Sequence, residues 1–409
     1  MQITRLSIRD ARFPLHDGAG GDAVHTNPHY SYAVAQLETG TSTVGIGLAF
    51  TLGGGNDLVC QAIQVLGGVL VGREIEALMA EFGTLQRRLA DDPQYRWLGP
   101  HKGVVQLALA AITNACWDLW AKSRGVPLWK LLLDLTPEQL VATLDLSYVE
   151  DELTAAQAVA LIVSEQGGRE ARSPLLTSGY PGYDTSVGWF SYDEATILDN
   201  ARRALDAGFT ALKLKVGSPD HEHDLRRAAL LRNAIGPNIR LMLDANQQWT
   251  LPHALAICPR LASLFPYWIE EPTHPDDVLG HQTLAESIAP VALASGEHFP
   301  NRVIFKNYLQ AHCLRFLQAD AVRLAGVSEF LVVSLLARKF GLPIVPHVGD
   351  MGQLHQHLVL FNHIGLGHEP VFLEYIPHLR EHFVYPAQVS GGVYTTPQEP
   401  GSSCDLFSL

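Results

Sequence analysis

Cysteine is scarce in this chain. There are five in 409 residues (Cys60, Cys116, Cys258, Cys313 and Cys404), odd in number and scattered, with no C-x-x-C pair. That argues against a disulfide framework and fits free thiols in a reducing cytoplasm, the localisation expected here. Runs of Lys and Arg are missing, and the formal net charge is −13. Neither nucleic acid nor an anionic membrane surface is therefore expected as a partner. No apolar run approaches the ~18 residues of a membrane span. The opening Met1-Gln-Ile-Thr-Arg-Leu6 alternates like a strand, so no secretory leader is expected. The run Gly53-Gly-Gly-Asn-Asp57 lacks the spacing of a phosphate loop and reads as a turn before a helix capped by Asn56 or Asp57. What remains is an ordinary globular composition, 47% apolar and 17% charged.

The length suits a large barrel plus a smaller domain. Residues 1–138 read as an α+β unit, strands first and helices after. Gln2–Arg9 and Tyr30–Leu37 alternate in part, and the polar loop Asp17–Pro28 between them reads equally as a hairpin connection or as a flap over a pocket. Gly103–Trp120 is apolar nearly all round, as a buried helix would be. Its lone acid, Asp118, reads as a structural partner.

From 139 to 385 strands and helices alternate. Strands are predicted near 140–147, 211–216, 239–244, 267–271, 291–296, 315–320, 342–346 and 370–375. Short apolar strands without alternation mark a parallel sheet buried on both faces. Eight βα units predict a closed (β/α) TIM-type barrel of the α/β class, with functional residues at the C-terminal strand ends. Residues 386–409 read as a closing segment that completes the first domain.

The strand ends carry the chemistry. Asp244, Glu270 and Glu297 end three successive strands, 26 and 27 residues apart. Any one alone would read as a helix cap or ion-pair partner. Three in register make an oxygen-lined pocket that suits Mg²⁺. Glu271 competes with Glu270, and alternation lets only one of them join. Lys213 and Lys215 share one face of their strand, and a buried lysine pair needs an anionic or catalytic reason. Asn246 points the same way as Asp244. Asp320 and His347, at neighbouring strand ends, suit a hydrogen-bonded dyad that fixes the imidazole tautomer. Glu374 ends the last strand. His378 and His382 read as surface residues.

Together, Lys213-Leu-Lys215, Asp244-Ala-Asn246, Trp268-Ile-Glu-Glu-Pro-Thr273, Ser295-Gly-Glu-His298 and Pro346-His347 resemble the enolase superfamily in its mandelate-racemase-like branch. The resemblance is closest to L-fuconate dehydratases, through Gly20–Ser31, Arg96–Pro100, Trp268–Gly280 and Glu374–Phe383. It implies a capping domain closing over a modified barrel. It implies Mg²⁺ on Asp244, Glu270 and Glu297, Lys215 as base, and His347 backed by Asp320 as acid. Substrate contacts would come from Lys213, Asn246 and Glu374, and from Gly20, Gly21, Asp22 and Tyr30 of the capping loop. The implied activity is dehydration of L-fuconate to its 2-keto-3-deoxy derivative. The alternatives are another aldonate such as L-galactonate, or racemisation or epimerisation of a 2-hydroxy acid. The implied partner is a small sugar acid, and a homo-oligomer is compatible with all of this. Ala325, the stretch Val348-Gly-Asp-Met351 and His29 depart from the pattern near the pocket wall.

Overall fold

The computed structural model describes residues 1–15, 17–26 and 28–407. Asn27 of the capping-loop motif and the last two residues of the closing segment lie outside them. The chain opens with an antiparallel sheet of β1 (Ile3–Pro14), β2 (His29–Thr39) and β3 (Val44–Thr51), in that order. Helices α1 (Asn56–Gly67) and α2 (Gly103–Ser123) cover it. Neither Asn56 nor Asp57 caps α1, because Gly55 in the left-handed region takes that place.

Helix α2 lies so close to β3 that a Cβ on Gly47 would sit 1.9 Å from the Ala111 carbonyl oxygen. Only glycine fits there. By length and mean hydropathy (21 residues, 1.3) α2 could cross a membrane, contrary to the expectation that no segment would pass such a test. Yet 89% of its apolar window is buried inside the protein, so here it is a core helix. Its polar side chains join parts of the molecule. Asn114 donates to the Leu48 and Ala321 carbonyls and accepts from the Val327 amide, and Trp117 donates to Ser328 Oγ. Asp118 is structural, as expected: it accepts from the amides of Ile46 and Ser402 and pairs with Lys122 at 2.7 Å.

The second sheet is the barrel. Its parallel strands run in the order β4 (Tyr180–Gly188), β5 (Ala211–Lys215), β6 (Arg240–Asp244), β7 (Trp268–Glu270), β8 (Ala292–Ser295) and β9 (Phe316–Leu317). Ile344 continues it by a single parallel bridge to Leu317, and β10 (Leu373–Tyr375) pairs with β4. Helices α3 (Glu194–Asp206), α4 (His221–Ile235), α5 (Leu251–Ala262), α6 (Val278–Ile288), α7 (Arg302–Ala311), α8 (Val327–Phe340) and α9 (Leu354–Leu366) follow the strands. The first barrel strand is not at 140–147 as predicted. Thr136 forms a capping box with Gln139, Pro137 starts a helix through Ala142, and the chain then runs irregularly. The first strand is Tyr180–Gly188, and the segment 342–346 reduces to the one bridge.

Two apolar groups divide along the strands. Tyr183, Ala211, Met242, Trp268, Ala294 and Val345 fill the interior, whereas Leu212, Leu214, Leu241, Leu243, Ile269 and Leu293 join the main core. This period-two split fixes which strand residues look inward. The closing segment joins both parts of the molecule. It adds the hairpin β11–β12 (Val389–Ser390, Val393–Tyr394) against β4, a bridge from Gly401 to Pro127, and an Asp405–Lys122 ion pair at 2.8 Å.

Candidate active site

Inward-facing positions on β5 run Ala211, Lys213, Lys215, so apolar contacts give way to charge toward the strand end. Register then sets a row across three strands: Lys215 pairs with Asp244, and Asp244 with Glu270. Lys213, one layer down, is only 1% exposed. Its ammonium lies 2.6 Å from Glu374, 3.0 Å from Glu270 and 3.4 Å from Asp244. Lys213 lies below the cavity lining and is paired with the acids that form the floor. Lys215 donates to Asp244 Oδ2 and Asn246 Oδ1, with its Nζ 5.5 Å from the Trp189 ring centroid.

On the other side of the barrel, Asp320 Oδ2 accepts from His347 Nδ1 at 2.6 Å and from the Gly349 amide at 3.1 Å. His347 Nε2 lies 3.6 Å from Glu297. The predicted dyad is therefore formed, with Nε2 left toward the cavity.

The cavity between them has a volume of ≈ 40 Å³. Lys215, Asn246, Glu297, His347 and Glu374 line it, with Gly20, Asp22 and Tyr30 from the capping loop. Gly21 is not among these lining residues. Its carbonyl accepts from the Phe190 amide and ties the loop to the barrel. Met351, from the stretch expected near the pocket wall, joins it, whereas sequence reasoning missed His25, Phe50, Leu52, Trp189, Arg323 and Ile376. His378 is not a surface residue either. Its ring stacks obliquely on Trp189 at 5.4 Å, and its Nε2 is buried without a partner.

Glu271 does not simply turn away. Its φ of +43° breaks the alternation, and its carboxylate accepts from Gln247 and faces His298. Ligand atoms of Glu271, Glu297 and His298 come within 4.8 Å of one another, a second grouping that shares Glu297. The donor set fits a divalent cation on two grounds. Glu297 Oε2 is buried with no hydrogen-bond partner. Asp244, Glu270, Glu297 and Glu374 also bring buried carboxylate oxygens together, the hard donors that a divalent cation takes.

The electrostatics follow from this crowding. Burial and the Asp244 charge push Glu270 up to about 8. Burial works against charge on His347, but Glu297 and Asp320 outweigh it and raise the imidazole to about 9. For Asp320, His355 and His347 outweigh burial and hold the carboxyl well below its usual range. Lys215 stands between opposing influences. Burial and Lys213 lower it, yet Asp244 prevails and holds it above the ordinary lysine value. The lowering expected for a base requires the Asp244 charge to be taken up elsewhere.

Comparison with known proteins follows the same lines. Residues 196–407 match the family described as enolase C-terminal domain-like, and residues 7–132 match the mandelate racemase/muconate lactonizing enzyme N-terminal domain. The chain belongs to the enolase superfamily, with a capping domain over an α/β barrel. It is 43% identical to human mitochondrial enolase superfamily member 1, over 99% of this chain and 94% of that protein. The crystal structure of that human protein superposes with a TM-score of 0.96 over the same shares of the two chains. It is 40% identical to an L-galactonate dehydratase of Hypocrea jecorina, over 99% of this chain and 92% of that one. A racemase from Streptomyces coelicolor A3(2) with bound magnesium is 25% identical, with a TM-score of 0.77 over 98% of this chain and 96% of that one.

Proposed function

We propose that this chain is a Mg²⁺-dependent hydro-lyase that dehydrates a six-carbon sugar acid, L-fuconate, to the 2-keto-3-deoxy acid. The observation that carries this reading is that Lys215 and His347, from well-separated strands, line one small cavity floored by acids. Asp244, Glu270 and Glu297 would hold Mg²⁺, which would neutralise charge developing on the substrate carboxylate. The magnesium-bound racemase supports that cofactor.

Lys215 takes the proton from C2. His347, its Nδ1 held by Asp320, gives a proton from Nε2 to the departing C3 hydroxyl, which leaves as water. The resulting enol tautomerises to the 2-keto acid. Asn246 and Glu374 bind substrate polar groups, and Asp22 and Tyr30 close the far side. The cavity has room for only a water or so.

L-Fuconate is L-galactonate without the C6 hydroxyl, so the named relative supports the same configuration at the reacting carbons. The wall adds the discrimination. Phe50, Leu52, Met351 and Ile376 offer apolar surface, which favours a C6 methyl. Racemisation is the second reading, because proton-transfer groups stand on both sides of the cavity. The test is incubation with L-fuconate and Mg²⁺ in D₂O. Formation of 2-keto-3-deoxy product, stopped by EDTA, is expected. Deuterium at C2 without loss of water would transfer the assignment to racemisation, and full activity in EDTA would remove the metal.

A further inference from the structure

Asp350, in the stretch Val348-Gly-Asp-Met351 set apart by the sequence, has no part in the reaction above and lies directly behind the dyad. Asp350 Oδ2 accepts from the amides of Gly352 and Leu354, at the start of α9. Its Oδ1 accepts from His355 Nδ1. His355 Nε2 lies 3.1 Å from Asp320 Oδ1, whose other oxygen holds His347. Asp350, His355, Asp320 and His347 thus form one continuous line, and the first three are wholly buried.

We infer that His355, anchored by Asp350 at the N-terminus of α9, is a positioning residue that holds Asp320 where it orients the imidazole of His347. The inference rests on the dehydratase reading of this site.

Three observations support it. His355 stands on a helix whose neighbouring residues Leu354, Leu358 and Phe361 are core, so an apolar side chain would pack there without the cost of burying a polar pair. The alternative partner of Nε2 is the Ala321 amide at 2.8 Å, and one nitrogen cannot accept from that amide and donate to Asp320 at once. Either way the imidazole is tied to Asp320, directly at 3.1 Å or through the amide of the next residue, and the two flanking carboxylates overcome burial and favour its charged form. Tyr32 of the first domain also donates to the Asp350 carbonyl at 2.7 Å, bracing the far end of the line.

The experiment uses the Mg²⁺-loaded full chain with L-fuconate, and follows both product formation and C2 exchange in D₂O. His355→Ala should lower kcat for dehydration roughly 10–100-fold, the scale on which supporting partners act on the ligands they orient. KM should stay within about twofold, because neither His355 nor Asp350 lines the cavity. Exchange at C2, the work of Lys215, should persist and outrun loss of water. Asp350→Asn, a smaller change, should reproduce the same split more weakly, and His355→Gln, which keeps a donor, should recover part of the rate. Dehydration and exchange falling in step in folded Asp350→Asn and His355→Gln, or neither falling in His355→Ala, overturns the inference. A wild-type enzyme that neither dehydrates nor exchanges overturns the dehydratase reading and this one with it.

Discussion

Lys215 is the register partner of Asp244 on the adjacent parallel strand, and its ammonium donates to that carboxylate. The proposed base and a proposed metal ligand are therefore each other's nearest counter-charge. Lys215→Ala should cut product formation by at least about 10²–10⁴-fold, the usual contribution of a positioned base. The same variant should bind Mg²⁺ more tightly in calorimetry, because Asp244 loses a competing cation. Undiminished turnover would sink the role of Lys215, and weaker Mg²⁺ binding would remove Asp244 from the ligand set.

The apolar wall makes a prediction about substrate choice. L-Fuconate should exceed L-galactonate in kcat/KM by about 10–100-fold, since an apolar pocket rejects an added hydroxyl only modestly. Ile376→Thr should narrow the ratio by offering the C6 hydroxyl a partner. A wild-type ratio favouring L-galactonate, measured by product formation on both acids, would reassign the substrate.

Gly47 tests the seam between β3 and α2. Its φ is not in the left-handed region, so the demand is steric: a methyl group would strike backbone. Gly47→Ala should destabilise by about 3 kcal/mol, the upper part of the overpacking range, and lower the midpoint of thermal unfolding. Gly68→Ala, where nothing lies within 4 Å of the added carbon, should leave the midpoint unchanged within error and serves as the control.

Two buried histidines and the half-buried His378 set an acid limit. Burial pushes His357 down to about 3, and His368 and His378 to about 4. An unfolded imidazole titrates near ~6.5. Between those values the unfolded chain binds more protons than the folded one, so stability is lost as pH falls through that window. His357 accepts from the Trp129 amide at Nδ1. His357→Asn should keep an amide partner and flatten the dependence between pH 6.5 and 4 by about one proton. An unchanged slope in denaturant titrations would show that His357 is charged in the fold.

The catalytic strands were legible because their inward positions carry charge where the pattern demands apolar residues. Lys213, Lys215, Asp244 and Glu270 stand out against Leu212, Leu214, Leu243 and Ile269. The first strand was misplaced for the opposite reason. Leu140-Val-Ala-Thr-Leu144 has strand-forming residues, but a capping box and Pro137 commit its start to helix. The true strand contains Pro181, Gly182 and Gly188, which weaken any local strand signal, and its pairing supplies what propensity does not.

Depth within the site was not legible. Alternation puts Lys213 and Lys215 on one face, but not which of them reaches the cavity. Phe50, Leu52 and Ile376 carry no chemical signal, and only the folding of the cap over the barrel makes them a wall. Glu271 defied the alternation rule because its backbone is left-handed, which no single residue type announces.

Asn114 binds Leu48 two residues before the wall residue Phe50, and Ala321 one residue after the dyad's Asp320. One amide side chain thus shares its donors between the part of the molecule that selects a substrate and the part that transforms it. Recombination between homologues inherits that constraint. A chimera that takes its first third from one parent and its barrel from another should work only where both parents agree at this joint, so new specificities are more readily reached by changing the wall than by exchanging the lid whole.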